Sequence, residues 1–202
     1  MRRAIFGGSF DPVHKGHVRL ASELQKALRL DEIIVMPTGI SPFKKDIKRR
    51  PADGADRLEM CRLAFADMPF VTVSDYEISQ GGVSYTVDTV RHFHGLYPDD
   101  RLFLLVGGDM LMSFDRWKSW QEILSMCGLA AVSRQTDGAD TDELEKKAAE
   151  LRKFGEVIFV KTEPLEISST EIREKIIKNC DLSCYVPQNV VKYILENNLY
   201  RE

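Results

Sequence analysis

Short apolar runs alternate along the chain with longer segments in which apolar residues recur every three or four positions. The runs fall at 4–6, 31–36, 70–73, 102–106, 129–132 and 157–160. Ala4-Ile5-Phe6 stops at the pair Gly7-Gly8, Ile33-Ile34-Val35 is stopped by Pro37, and 102–106 is apolar throughout. Runs of this length and texture predict strands buried on both faces. Between the first two, Val18, Leu20, Ala21, Leu24, Ala27 and Leu28 follow the helical period, which predicts a helix over 16–30. Periodicity also predicts helices over 55–67, 86–97, 120–126, 142–154, 169–178 and 187–197, with Pro187 suited to a first helical position. Segment 38–53 is irregular and holds Pro42, Pro51 and the basic cluster Lys44, Lys45, Lys48, Arg49 and Arg50. It is long for a structureless connection and reads as a functional loop or lid.

Alternation of strand and helix predicts an α/β fold: a doubly wound parallel sheet, Rossmann-like, with helices on both faces. No repeat, low-complexity tract or linker divides the chain, so 1–202 reads as a single domain. Ligands in such folds bind beyond the carboxyl ends of the strands. Glycine-rich or polar motifs follow three of the predicted strands here.

Composition narrows the function. The 202 residues are 44% hydrophobic with a formal net charge of −3, which argues against binding nucleic acid polymers but permits local basic pockets. The four cysteines, Cys61, Cys127, Cys180 and Cys184, form no CxxC and no His/Cys cluster of zinc-finger spacing. They read as reduced thiols of a cytoplasmic protein, two or three of them buried. The basic start Arg2-Arg3 leads into an apolar stretch too short for a signal peptide. No apolar run approaches the ~20 residues that span a bilayer, so no membrane association is expected.

The first chemical motif, Gly7-Gly8-Ser9-Phe10-Asp11-Pro12-Val13-His14-Lys15-Gly16-His17, joins the first strand to the first helix. Glycines there let backbone N–H groups approach a phosphate, and the helix that follows presents its positive end. His14 and His17 share one face of the first turn, where two imidazoles can donate hydrogen bonds to a triphosphate. Two surface histidines beside a glycine turn would explain a lone HxxH, but not its setting in GGSFDP. The spacing is neither the HExxH of zinc enzymes nor the GxxxxGK[ST] of P-loops. The second motif is Ile167-Ser168-Ser169-Thr170-Glu171-Ile172-Arg173, in which Ser168 or Ser169 can cap a helix and free N–H groups, hydroxyls and Arg173 can converge on an anion. Alone, it is equally a capping sequence with a surface arginine.

Together these motifs resemble the HxGH nucleotidyltransferase superfamily and, within it, the bacterial nicotinate-nucleotide adenylyltransferases. The resemblance runs over nearly the whole chain. It takes in Ser84-Tyr85-Thr86-Val87-Asp88-Thr89, Val106-Gly107-Gly108-Asp109-Met110, Trp117, Arg134 and Tyr185-Val186-Pro187. The related phosphopantetheine adenylyltransferases are shorter and typically read TxGH where this chain has His14.

The resemblance implies an enzyme that joins the AMP part of ATP to nicotinate mononucleotide in NAD biosynthesis, releasing pyrophosphate. It implies that His14, His17 and Arg173 contact the ATP phosphates as the catalytic set. Gly8, Ser9 and Phe10 would line the nucleotide site, with Gly107 and Asp109 near the ribose and Ile167, Ser168, Ser169 and Thr170 around the adenine and phosphates, so that helices of 169–202 complete the ATP site. The pyridine side would use Lys44, Thr86, Trp117 and Arg134, with Trp117 stacked on the ring for roughly 0.5–1.5 kcal/mol beyond burial. Without the resemblance, Trp117 reads as a packing residue and Lys44 as a solvated charge. The chain departs from the family at Ser41-Pro42-Phe43-Lys44, where PPHK is usual, and at Gly108, where alanine is common.

The acceptor's 5′-phosphate has a second pKa near ~6 and is largely a dianion at neutral pH, so neither a general base nor a covalent intermediate is required. The protein's work is in-line positioning and charge stabilisation. Mg²⁺ is expected to ride on the ATP phosphates, since no protein carboxylate cage stands out. The oligomeric state is left open. Competing readings are an HxGH transferase acting on nicotinamide mononucleotide, phosphopantetheine or a cytidylyl donor, and a nucleotide sensor without catalysis. An RNA-binding module is disfavoured by the acidic charge.

Overall fold

The chain runs through β1 (Arg2–Gly8), α1 (Lys15–Leu28), β2 (Glu32–Pro37), α2 (Gly54–Ala64), β3 (Val71–Val73), α3 (Tyr76–Gln80), α4 (Thr86–Leu96) and β4 (Arg101–Gly107). It continues through α5 (Gly108–Met112), a 3-10 turn at Phe114–Arg116, α6 (Trp120–Met126), β5 (Gly128–Arg134), α7 (Gly138–Leu151), β6 (Val157–Thr162), α8 (Ser169–Ile177) and α9 (Gln188–Glu196). This computed structural model describes residues 1–39, 52–134, 138–162 and 167–201.

All six predicted strands form one parallel sheet in the order β3-β2-β1-β4-β5-β6. β1 is central, with Ile5 opposite Ile34 of β2 on one side and Leu104 of β4 on the other. Successive side chains of a strand face opposite sides of a sheet, and here both sides are apolar. Ala4, Phe6, Ile33, Val35, Phe103, Leu105, Ala130 and Val132 pack on one face against α1, α2, α8 and α9. Ile5, Ile34, Met36, Leu102, Leu104, Val106, Leu129 and Ala131 pack on the other against α4, α6 and α7. That double burial is why the strands read as continuous apolar runs rather than alternating ones.

The helices follow the predicted spans within a few residues. On α1, Ala21, Leu24 and Leu28 form the buried stripe. Two short helices escaped the sequence reading: α3, and α5, which leaves β4 without a break. At five residues each, neither is long enough to show a period. Pro187 caps α9 instead of opening it, its carbonyl accepting the Val190 and Val191 N–H groups. Gly108 lets α7 approach the start of α5, since a Cβ there would lie 3.2 Å from Leu144 Cδ1. Among the described residues, no helix is long and apolar enough to cross a membrane.

Cys61 and Cys127 are buried, and Cys180 and Cys184 are exposed. Burial pushes the Cys127 thiol up to about 12 and raises Cys61 further, against a small pull from Arg57. Thiolate is the reactive form. A chromogenic thiol reagent at neutral pH should therefore titrate two thiols in the folded chain and four after denaturation. Rapid reaction of all four without denaturant would contradict this packing.

Candidate active site

The β1–α1 loop is built around two histidine rings. His14 is the N-cap of α1, with extended backbone, and His17 sits in its first turn. Their rings stack at 3.7 Å between centroids, 26° apart. His17 Nδ1 accepts the His14 backbone N–H at 3.2 Å. A ring nitrogen that accepts carries no proton, so neutral His17 holds its proton on Nε2, as a donor. Gly16 is demanded by this arrangement, because a Cβ there would come within 2.9 Å of His14 Nδ1 and 3.0 Å of Cε1.

Phe10 shapes the turn before them. Its φ of 45° is left-handed, a conformation that costs a non-glycine residue ~1–3 kcal/mol. Its ring is 1% exposed and packs edge-on against Phe6 at 5.4 Å and His17 at 4.9 Å. The same ring lies 3.0 Å from where a Gly8 Cβ would be, which explains the glycine. Burial of the ring offsets the backbone strain and presses one side of His17 into place. Arg57, buried on α2, spans the loop from behind by donating to the carbonyls of Ser9 (2.9 Å), Thr38 (2.8 Å) and Ala52 (3.2 Å).

The second motif docks on this loop. Ser168 caps α8 by accepting the Glu171 N–H at 3.1 Å, which leaves Ser169 free to donate to the Pro12 carbonyl at 2.9 Å. The Arg173 guanidinium donates to the Asp11 carbonyl and, at 3.0 Å, to Thr170 Oγ1. Ile167 stands 3.9 Å from where a Gly16 Cβ would be. The Asp11 carboxylate is nearly buried and faces Arg173 at 3.7 Å. Its Oδ1 accepts from the Ala52 N–H at 3.1 Å and the Tyr200 hydroxyl at 2.8 Å. Burial, and then the Asp11 carboxylate beside it, drive the Tyr200 phenol far above its ordinary range, so it remains a protonated donor.

A cavity of about 340 Å³ opens beside the loop, between the carboxyl ends of β1 and β4 and the start of α4. Gly8, Ser9, Thr86, Trp117 and Lys118 are among the residues that line it. Tyr85 caps α4 without a side-chain bond, so the Thr86 and Val87 N–H groups have no partner within the helix. Lys118 Nζ stands 4.1 Å from the centre of the Tyr85 ring. Buried Glu77 closes the floor, accepting from Thr89 Oγ1 at 2.7 Å and the Gly39 N–H at 3.3 Å. The cavity therefore joins a flat aromatic wall and an uncapped helix start to the glycine loop.

Most of the residues singled out in the sequence meet around this crevice: Gly8, Ser9, Phe10, His14 and His17 on the loop, and Ile167, Ser168, Ser169, Thr170 and Arg173 at α8. Gly107 ends β4 next to β1, and exposed Asp109 follows in α5, near enough that a Gly107 Cβ would lie 2.8 Å from its Oδ1. Thr86 and Trp117 line the cavity. Lys44 and the side chain of Arg134 lie outside the described residues. The sequence reading missed Arg57, Glu77, Arg116, Lys118 and Tyr200. Arg116 and Lys118 flank Trp117 in the chain, a signal that was available, and both line the cavity. The other three reach the site only through folding.

The cytidylyltransferase-like family model matches residues 5–175. A protein of Clostridium botulinum (strain Kyoto / Type A2), named a probable nicotinate-nucleotide adenylyltransferase, is 37% identical over the full length of both chains. Its counterpart in strain Alaska E43 / Type E3 is 40% identical, across all of this chain and 98% of that one. Among solved structures, the nicotinic acid mononucleotide adenylyltransferase of Plasmodium falciparum complexed with APC superposes with a TM-score of 0.76. It covers 98% of this chain and 96% of that one at 20% identity, and so shares the fold.

The hydrogen bond at His17 sets an expectation that needs no substrate. Nitrogen-15 NMR well above the imidazole titration range should find the His17 ring protonated on Nε2. A proton on Nδ1 instead would mean that the His14 N–H is not capped by this ring.

Proposed function

We propose that this chain, which belongs to the cytidylyltransferase-like family and within it to the nicotinate-nucleotide adenylyltransferases, transfers the adenylyl group of ATP to nicotinate mononucleotide. The products are nicotinate adenine dinucleotide and pyrophosphate. The observation that carries this reading is the docking of α8 on the β1–α1 loop. It sets Arg173 beside the loop of His14 and His17, next to a cavity with an aromatic wall.

The 5′-phosphate oxygen of the mononucleotide attacks the α-phosphorus of ATP. The bond from that phosphorus to the β-phosphate bridging oxygen breaks, and pyrophosphate leaves with the electron pair. The attacking phosphate is already ionised, so no residue need take a proton from it. His17 Nε2–H and the His14 ring would donate to the triphosphate as negative charge moves onto the leaving group. Arg173, held by Asp11 and Thr170, would grip the outer phosphates, and the start of α1 would add its positive end. Gly8, Ser9 and Phe10 would line the triphosphate path, with Asp109 and Gly107 on the ribose side and Ile167, Ser168, Ser169 and Thr170 on the adenine side.

Mg²⁺, bound through phosphate oxygens and water, would neutralise charge on the triphosphate. Among the described residues, no group of three or more His, Cys, Asp or Glu could hold a metal ion.

On the acceptor side, Trp117 would stack on the pyridine ring and Thr86 would turn the first N–H groups of α4 toward its carboxylate. A carboxylate accepts from such donors, whereas a carboxamide turns its NH₂ toward them. Lys44 and Arg134 would serve as further anion contacts. The unpaired thiols fit the reducing conditions of the cytoplasm.

Pyrophosphate release should be followed with ATP, Mg²⁺ and either nicotinate or nicotinamide mononucleotide. Strong preference for the nicotinate form supports both the reaction and the carboxylate pocket. Equal use of the two overturns the account of specificity, and no release with either overturns the acceptor. His17→Ala should lower turnover ~10²–10³-fold with a smaller loss of ATP affinity; near-normal turnover would remove His17 from the catalytic set.

A further inference from the structure

Tyr200 lies at the opposite end of the chain from the glycine loop, after the last helix. Its backbone is left-handed, with a φ of 66°, and so is that of Asn198, with a φ of 51°. These two turns, and the Leu199 N–H bond to the Ile194 carbonyl at 3.0 Å, fold the chain back after α9. Tyr200 is 8% exposed and packs in the same core cluster as Phe10, Val13 and Ile172. Its hydroxyl meets Asp11 Oδ1 at 2.8 Å, and that residue's other oxygen faces Arg173 at 3.7 Å. The acceptor that this buried hydroxyl takes is the carboxylate of the residue whose carbonyl holds Arg173.

We infer that Tyr200 is a positioning residue for the phosphate grip: its hydroxyl holds the Asp11 carboxylate back, and Asp11 in turn sets where the Arg173 guanidinium points. Asp11 Oδ1 has two donors, Tyr200 and the Ala52 N–H. With the hydroxyl gone, one remains, and the carboxylate is free to turn toward the guanidinium 3.7 Å away. A tighter ion pair there competes with substrate for the same N–H groups, because a guanidinium bonded to a carboxylate has fewer donors for phosphate. The loss should fall on the part of the nucleotide that Arg173 touches and spare the rest. The inference rests on the reading of Arg173 as a ligand of the outer phosphates.

Tyr200→Phe removes one oxygen and keeps the packing of the ring. The experiment measures dissociation constants of ATP and of AMP by calorimetry for the wild type, Tyr200→Phe, Arg173→Ala and the double variant. Tyr193→Phe serves as the control: its hydroxyl also bonds a carboxylate, Asp56 at 2.9 Å, but in a half-buried pair that joins α9 to α2. The expected result is an ATP affinity about tenfold weaker in Tyr200→Phe, AMP affinity unchanged, and a double variant no weaker than Arg173→Ala. Tyr193→Phe should bind both nucleotides as the wild type does. Unchanged ATP affinity in Tyr200→Phe overturns the inference, as does an equal loss for ATP and AMP, or losses that simply add in the double variant. If Arg173→Ala itself binds ATP normally, the phosphate-grip reading fails first and the inference with it. Because binding is measured without the acceptor, the choice of mononucleotide does not enter the result.

Discussion

β1 hydrogen-bonds to β2 on one edge and to β4 on the other, all running parallel. Parallel neighbours cannot be joined by tight turns, so each connection must cross over a face of the sheet. The chain winds outward from β1 through β2 to β3, then returns across the sheet to place β4 against the free edge of β1. At that reversal the connections leaving β1 and β4 go to opposite faces: α1 packs with one core cluster, α5 and α6 with the other. A crevice opens between them at the carboxyl ends, where the glycine loop, α5 and the start of α4 come together.

Within that crevice the loop is held from behind, not by the substrate side. Arg57 takes three backbone carbonyls, and Asp11 gathers an amide, a phenol and a guanidinium. Backbone carbonyls bound in this way cannot reorganise cheaply when a polyanion arrives, which is the condition under which fixed donors lower a barrier. The left-handed Phe10 and the bare Cα of Gly16 belong to the same design. One aims the turn and the other leaves room for the His14 ring.

The two halves of the crevice differ in chemistry. One half brings together the His14 and His17 rings, Arg173 and the first turns of α1 and α8. The other is lined by Tyr85 and Trp117, with the start of α4 and a buried carboxylate, Glu77, that accepts from Thr89 and Gly39. Gly8 and Ser9 of the β1–α1 loop also line the cavity, so under the proposed function the two substrates would meet across that short turn. Proximity of this kind is the main thing a reaction between two polyanions needs from a protein.

The sequence by itself determined the strand and helix order, because a strand buried on both faces must be apolar throughout and a helix against a sheet must repeat every three to four residues. It also marked two candidate anion-binding segments, since GGSFDPVHKGH and ISSTEIR each occupy one local stretch, although ISSTEIR alone reads equally as a helix cap. Helices of a single turn, α3 and α5, were beyond its reach because five residues carry no period. What only the tertiary structure decided were the partners separated by long stretches of chain: Tyr200 on Asp11, Arg57 across Ser9 and Thr38, Glu77 beneath Gly39. No local pattern marks such residues, because a buried tyrosine, arginine or glutamate looks the same in sequence whatever it touches. Its role is set by the neighbour that folding brings to it.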